Sequence, residues 1–278
     1  MRRRCGVAAI NRSTDMTTGS IWKRMVSFAV PVFLGNLCQQ LYNTVDSVIV
    51  GKFVGKQALA AVASSGNLIF MMTGFFMGLF IGAGIVIAQY FGARNYERVR
   101  SAVHTDIAFA LCCGVLLTLL GVFFTPTILT WMRTPADVLS TSILYFRLYF
   151  LGSLATILYN AGMGILQAVG DSRSPLYYLV ISSVVNVALD LLFVGAMDMG
   201  VAAPAVATVI SQIVSAVLCI IKLTRSDGPY RLEIKRIGFD LPLLKKITSQ
   251  GVPSGVQNSI IAIANVVVQS NINTFGSD

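Results

Sequence analysis

Two aspartates inside long apolar stretches are the chemically most informative feature of this sequence. Asp46 and Asp190 each interrupt a hydrophobic run that is long enough to cross a lipid bilayer. An ionised carboxylate at the bilayer centre costs at least ~2.5 kcal/mol on insertion scales, so each needs a proton, a cation or a basic partner. Arg147 is the one basic candidate. The pattern predicts a proton or metal-cation site, with a structural Asp–Arg pair as the alternative.

Neutral oxygens lie close to the second aspartate in the sequence. Asn186 precedes Asp190 by one helical turn, and Thr208 lies early in the next apolar stretch. Amide and hydroxyl oxygens are ligands that hard cations accept. We expect both residues to contribute to the same site.

Further polar side chains recur at helical spacing and indicate a cavity. Asn36, Gln39, Asn43 and Asp46 are separated by three, four and three residues, so they share one helix face. Polar groups that face lipid cost several kcal/mol, so such faces must meet each other or water. Polar packing between helices is the alternative, chiefly for the Ser and Thr positions. The predicted cavity lining is Asn36, Gln39, Asn43, Tyr149, Asn160 and Gln212.

Pro31 lies about four turns before Asp46 on the same predicted helix. A proline inside a helix removes one backbone hydrogen bond and kinks the chain. We predict that Pro31 is a hinge in a helix whose polar face carries Asp46.

Composition places the chain in the membrane class. Of its 278 residues, 55% are hydrophobic and only 12% are charged, and the mean hydropathy is +0.74. Soluble domains carry about a quarter charged residues. The fold class is therefore all-α, a polytopic membrane protein. Its predicted spans are 25–50, 58–90, 103–124, 142–167, 176–197, 203–223 and 247–272.

The positive charges are distributed by loop. Seventeen Lys and Arg residues lie before the first span or in loops on the same predicted side, and three lie in the alternate loops. This bias predicts a cytoplasmic N-terminus. The net charge of +9 is thus a topology signal, and we expect the lipid bilayer rather than nucleic acid to be the partner.

Enzyme motifs are not found in the sequence, which has no Walker A, GxSxG or HExxH pattern. The chain is predicted not to be an enzyme and to need no cofactor.

Its five cysteines lack disulfide or metal spacing. The single His104 is interpreted as a helix-end residue facing lipid headgroups. Gly74, Gly78, Gly82 and Gly84 are interpreted as small-residue helix packing.

A weak internal repeat divides the chain. Setting Pro31 against Pro253 aligns Asn36 with Asn258 and Asn43 with Asn265. Parallel repeats are typical of secondary transporters. The predicted organisation is a polar N-terminal extension at 1–15, a six-helix lobe at 16–224, a basic cytoplasmic inter-lobe linker at 225–246, and the first helix of a truncated second lobe at 247–278.

Four ordered motifs resemble one transporter family. They are the run from Pro31 to Gly51, the QYFGARN run at 89–95, the QAVGDSRSP run at 167–175, and the NVALD run at 186–190. Together they cover nearly the whole chain. In their order and spacing they are similar to the MATE (multidrug and toxic compound extrusion) family of the MOP superfamily, in its bacterial DinF-like branch.

The resemblance implies a twelve-helix transporter of two six-helix lobes, with this chain as the N-terminal lobe plus helix seven. Such proteins exchange inward Na+ or H+ for outward small organic, often cationic, compounds. Carried over by position, the coupling site is Asp46, Asn186, Asp190 and Thr208, which would hold Na+ if sodium is the coupling ion, with Pro31 as the bending point. The implied location is the plasma (inner) membrane, and the implied missing partner is the C-terminal lobe.

Three alternatives stay open from the sequence. One is a lipid-linked saccharide flippase of the same superfamily, although such clefts are basic whereas the buried charge here is acidic. Another is a channel or membrane scaffold, which would not need Asp46 and Asp190. The third is a truncated fragment that does not transport.

Overall fold

The computed structural model describes residues 20–53, 56–131, 136–197, 200 and 202–274, and these are almost entirely helical. The helices are α1 Ile21–Phe53, α2 Lys56–Gly92, α3 Tyr96–Trp131, α4 Ala136–Leu151, α5 Ser153–Ala168, α6 Arg173–Asp190, α7 Ala202–Arg225 and α8 Leu241–Thr274. The predicted all-helical class is confirmed. The N-terminal extension at 1–15 and residues 275–278 lie outside the described residues.

The predicted fourth span is two helices rather than one. α4 and α5 meet at Gly152 with a bend of 44°. A Cβ atom built on Gly152 would lie 2.6 Å from Val209 Cγ2 of α7, so the bend brings this backbone into contact that only glycine allows. Hydropathy alone could not reveal the break, because both halves are apolar.

The predicted fifth span changes helix type at its functional end. α6 stops at Asp190, and a π-helical turn follows at Leu191–Ala196. Single π turns inside α-helices often occur at functional sites, because the extra residue changes the direction of the side chains around it. The turn therefore adjoins one of the two predicted site carboxylates.

Four helical segments are long and apolar enough to cross a membrane, or five if the bent α4–α5 pair counts as one span. They are Met72–Gly92, Tyr96–Thr130, Arg173–Gly195 and Ala202–Arg225. α1 and α8 are also long enough but fall outside this set, since their polar side chains lower their average hydropathy.

The main hydrophobic core joins α2, α3, α4, α5 and α7. Its largest fully buried side chains include Phe146 and Phe150 of α4 and Ile157 and Ile165 of α5. A smaller cluster of Ile49, Val194 and Ala203 joins the end of α1 to the π turn and the start of α7. That second cluster packs α1 and α7 against the turn that directly follows Asp190, next to the predicted site.

Glycines bring α2 and α8 into direct backbone contact. A Cβ on Gly78 would lie 2.2 Å from the Gly255 nitrogen, and one on Gly82 would lie 2.3 Å from the Gly251 nitrogen. Asn258 Nδ2 donates to the Gly74 carbonyl at 3.1 Å in the same interface. The predicted small-residue packing of α2 is thus confirmed for these glycines. α8 begins at Leu241, six residues earlier than predicted.

Candidate cation site

The predicted coupling residues converge where α1, α6 and α7 meet. Asp46 lies in the last third of α1, Asn186 and Asp190 in the last two turns of α6, and Thr208 in the second turn of α7. Asn186 and Asp190 are completely buried, and Thr208 is nearly so. The structure therefore brings together all four residues from three separate helices.

The two carboxylates form the centre of this cluster. The side chains of Asp46 and Asp190 are in direct contact across the α1–α6 boundary. One oxygen of each, Oδ1, is buried and has no hydrogen-bond partner among the described residues. Two adjacent anions with unsatisfied acceptors can be stabilised by a shared proton or by a bound cation.

The alternative Asp–Arg pair is not formed. Arg147 is exposed, and its Nε donates to the backbone carbonyl of Val122 at 3.3 Å. No ion pair joins it to Asp46 or Asp190 within the described part of the chain. The carboxylate pair is therefore left without a basic partner from α4.

Asn186 positions Asp190 through its side-chain amide. Its amide nitrogen donates to Asp190 Oδ2 at 2.8 Å, and its amide oxygen accepts the Thr208 N–H at 3.2 Å. The opposite amide orientation would place its nitrogen against the Thr208 N–H donor, so it is disfavoured. The predicted role of this oxygen as a cation ligand stays a prediction, since an amide oxygen that accepts one N–H keeps a second lone pair.

Tyr42 completes the cluster and was not predicted from the sequence. Its hydroxyl lies 3.3 Å from Thr208 Oγ1, which links α1 directly to α7. Tyr145 of α4 lies within electrostatic range of both aspartates. The available signal was spacing, because Tyr42 precedes Asp46 by four residues and so shares its helix face.

The six predicted cavity-lining residues lie on four helices, and their lining of a common cavity stays a prediction. Asn36, Gln39 and Asn43 are exposed on α1. Asn160 lines a separate cavity of about 400 Å³ between α2 and α5, together with Gln167 and mainly apolar side chains. Tyr149 is half-buried and packs edge-on against Phe150. Gln212 has a buried Oε1 without a partner among the described residues.

α1 runs through Pro31 as a single helix from Ile21 to Phe53. The predicted hinge is therefore helical in this conformation. Its role in bending remains a prediction.

Two further residues correct the sequence analysis. Asp106 of α3 is a third carboxylate deep in a span, only 1% exposed, and its Oδ1 has no partner among the described residues. His104 was expected at a headgroup boundary, but it is 5% exposed and bonds to the segment between α7 and α8. The expectation for His104 was wrong because it lies near the start of its helix in the sequence, yet the segment between α7 and α8 covers it in the fold. Asp106 was not singled out from the sequence.

Known proteins resemble the chain over most of its length. It is 34% identical to the probable multidrug resistance protein YoeA of Bacillus subtilis (strain 168), covering 93% of this chain and 58% of that protein. An outward-facing structure of a multidrug resistance MATE family transporter of the MOP superfamily matches with a TM-score of 0.85 at 25% identity, over 91% of this chain and 56% of that one. An inward-facing structure of such a transporter matches with a TM-score of 0.76 at 26% identity, over 84% and 53%.

The chain spans less than two thirds of the length of these relatives. The family model MatE matches residues 31–192, which is more than half of the chain and contains Asp46, Asn186 and Asp190. The chain therefore belongs to the MatE family, whose members are transporters and not enzymes.

Proposed function

We propose that the chain carries the ion-coupling site of a secondary active transporter, a cation:drug antiporter. It would export small organic, cationic compounds in exchange for Na+ or H+. The observation that carries this proposal is the contact between buried Asp190 and half-buried Asp46, each with a buried and unpartnered oxygen, at a junction of three helices.

The donor set favours a hard monovalent cation or a proton. Asp46 and Asp190 supply the negative charge, and Thr208 supplies a hydroxyl oxygen. Asn186 holds Asp190 in place through its amide nitrogen. We keep Asp46, Asn186, Asp190 and Thr208 as the coupling site, and we assign Asn186 a positioning role in this conformation.

Binding at this junction would act on α1, because Asp46 and Tyr42 are polar contacts of α1 to α6 and α7. Neutralising two adjacent carboxylates offsets a cost of a few kcal/mol. A difference of that size shifts a two-state equilibrium about a hundredfold. We propose that α1 responds by bending at Pro31, which is the alternating-access step expected of a secondary transporter.

The substrate class rests on charge and on the relatives. The relatives named above are described as multidrug resistance proteins. Asp106 and Asp190 are buried in the described bundle and Asp46 is half-buried, and this acidic charge suits cationic cargo. A lipid-linked saccharide flippase of the same superfamily is the alternative, and a basic cleft would favour it. Assignment to the DinF-like branch is part of this proposal.

We further propose that the protein lies in the plasma membrane with the α2–α3 and α7–α8 connections in the cytoplasm. The seventeen-to-three bias of Lys and Arg supports this orientation. Cysteines placed singly at Lys52 and Arg236 would be labelled from outside intact cells with an impermeant maleimide. Labelling at 52 alone is expected, and labelling at 236 alone would contradict it.

The coupling site is tested by ion-driven efflux. Cells that produce the longest form encoded by the gene would be loaded with ethidium, and a Na+ or H+ gradient would then be imposed. Asp46→Asn and Asp190→Asn should reach the membrane yet lose gradient-driven efflux, because they remove the coupled charge.

Ser254→Ala in α8 is the control and should retain efflux, because Ser254 lies outside the three-helix junction. Unchanged efflux in both aspartate variants would show that the acids are structural.

A further inference from the structure

The segment between α7 and α8, residues 226–240, is folded onto the six-helix bundle, and we call it the strap. Its Leu232 is buried, and the Leu232 N–H donates to the Leu223 carbonyl of α7 at 3.0 Å. A short 3₁₀ turn occupies Ile234–Arg236. The sequence predicted a basic linker, whereas the structure shows an anchored element.

Charged side chains join the strap to the start of α3. Glu233 bonds to Arg100 of α3 and to Arg236 of its own turn, the latter at 2.8 Å. Asp240 accepts from Arg98 at 3.4 Å. These pairs are partly exposed, so each contributes modestly.

Two buried side chains of α3 hold the strap backbone. Thr105 Oγ1 accepts the Asp240 N–H at 3.1 Å, and His104 Nε2 accepts the Glu233 N–H at 3.0 Å. Asp240 in turn caps α8, since its Oδ1 accepts the Leu243 N–H at 3.2 Å. The strap therefore connects α3 to the first turn of α8.

The bonds of His104 define its protonation. Nδ1 lies 2.7 Å from the Arg100 carbonyl oxygen, which can only accept, so Nδ1 carries a hydrogen. Nε2 accepts from a backbone N–H, so it carries none. These two hydrogen bonds therefore require the neutral imidazole of His104 in this one tautomer.

We propose that His104 is a proton-sensitive clasp that releases the strap, and with it the start of α8, when the imidazole is protonated. A proton on Nε2 would point at the Glu233 N–H, replacing a hydrogen bond with two opposed donors. Histidine is the side chain that ordinarily changes charge between pH 5 and 8.

The charged neighbours do not offer a replacement bond. From α3, Arg100 faces the clasp with a guanidinium. From the strap come Arg236 and the Glu233 carboxylate, which already binds both arginines. At the start of α8, Asp240 is paired with Arg98, and Lys246 lies over the Tyr90 ring. The inference does not depend on the proposed coupling site, because none of these residues belongs to it.

The test is hydrogen exchange on the purified chain in detergent micelles at pH 8 and pH 5.5, corrected for the intrinsic pH dependence of amide exchange. In the unmodified chain, acidification should reduce protection of the strap about tenfold, since one buried hydrogen bond is lost. Protection of peptides from the middle of α7 should not change.

His104→Gln keeps an acceptor and a donor but cannot be protonated, so its strap should stay protected at both pH values. Thr105→Val removes the other backbone anchor and should lower protection equally at pH 8 and pH 5.5. A strap in the unmodified chain that keeps its protection at pH 5.5 would overturn the proposal, whether or not the variants fold. An equal pH response in His104→Gln would do so as well.

Discussion

The carboxylate junction and the strap are both polar regions that join three elements. They differ in how many of their buried polar atoms have hydrogen-bond partners. At the junction of α1, α6 and α7, acceptors outnumber donors, and Asp46 and Asp190 each keep an unpartnered oxygen. At the strap, Glu233, Asp240, His104 and Thr105 all have partners, and within the described residues Arg100 Nε is the buried atom without one.

The proposed binding role of the junction rests on this difference. Buried polar groups normally have hydrogen-bond partners, and an unpaired one costs about 1–3 kcal/mol. The proposed cation or proton would satisfy the two carboxylate oxygens that lack a partner. At the strap, the buried Arg100 Nε lacks a partner among the described residues, and the charges otherwise pair with one another.

The largest effect expected is a gain in stability from losing a site residue. Asp190→Asn removes one of two adjacent buried anions, so the ion-free chain should be stabilised against unfolding by a few kcal/mol. The unmodified chain should be stabilised by Na+ or by acidification, according to which cation it binds, and the variant should lose that response. Thermal unfolding in detergent micelles, with choline replacing Na+, measures both.

Asp227→Asn is the matched control, because Asp227 is an exposed acid outside the site. It should change neither the melting temperature nor its ion dependence. A lower melting temperature in Asp190→Asn, together with an intact ion response, would remove the distinction between the two regions.

A smaller effect of opposite sign is expected at the strap. Glu233→Gln breaks two partly exposed ion pairs and should destabilise the chain by about 1 kcal/mol, less at high salt. The loss should be the same with Na+ and with choline. Lys235→Gln, in the same exposed turn, is the control and should be near neutral. An Na+-dependent loss in Glu233→Gln would mean that the strap reports on ion binding.

Residue type and spacing were enough to select four residues that the structure brings together. Asp46, Asn186, Asp190 and Thr208 carry their chemistry in residue type, and the cost of burying a charge in lipid pointed to them. The small-residue packing of α2 also followed from composition. The cavity-facing role of Asn36, Gln39 and Asn43 stays a prediction, because these side chains are exposed in the described structure.

Structural features that depend on contacts between residues far apart in the chain could not be predicted from the sequence. The break at Gly152 exists because α7 approaches that backbone, and the amide direction of Asn186 is set by the Thr208 N–H. The anchoring of the strap requires His104 to meet a residue 129 positions away. No local pattern encodes these partners.

The glycine contact between α2 and α8 packs α8 tightly against the preceding six-helix bundle. The predicted repeat assigns α8 to a second unit, with Pro253 set against Pro31. In space, its backbone lies against α2 of the first repeat at Gly251 and Gly255, where no side chain could be inserted. A substitution that adds a side chain at Gly78, Gly82, Gly251 or Gly255 would therefore force α8 away from α2.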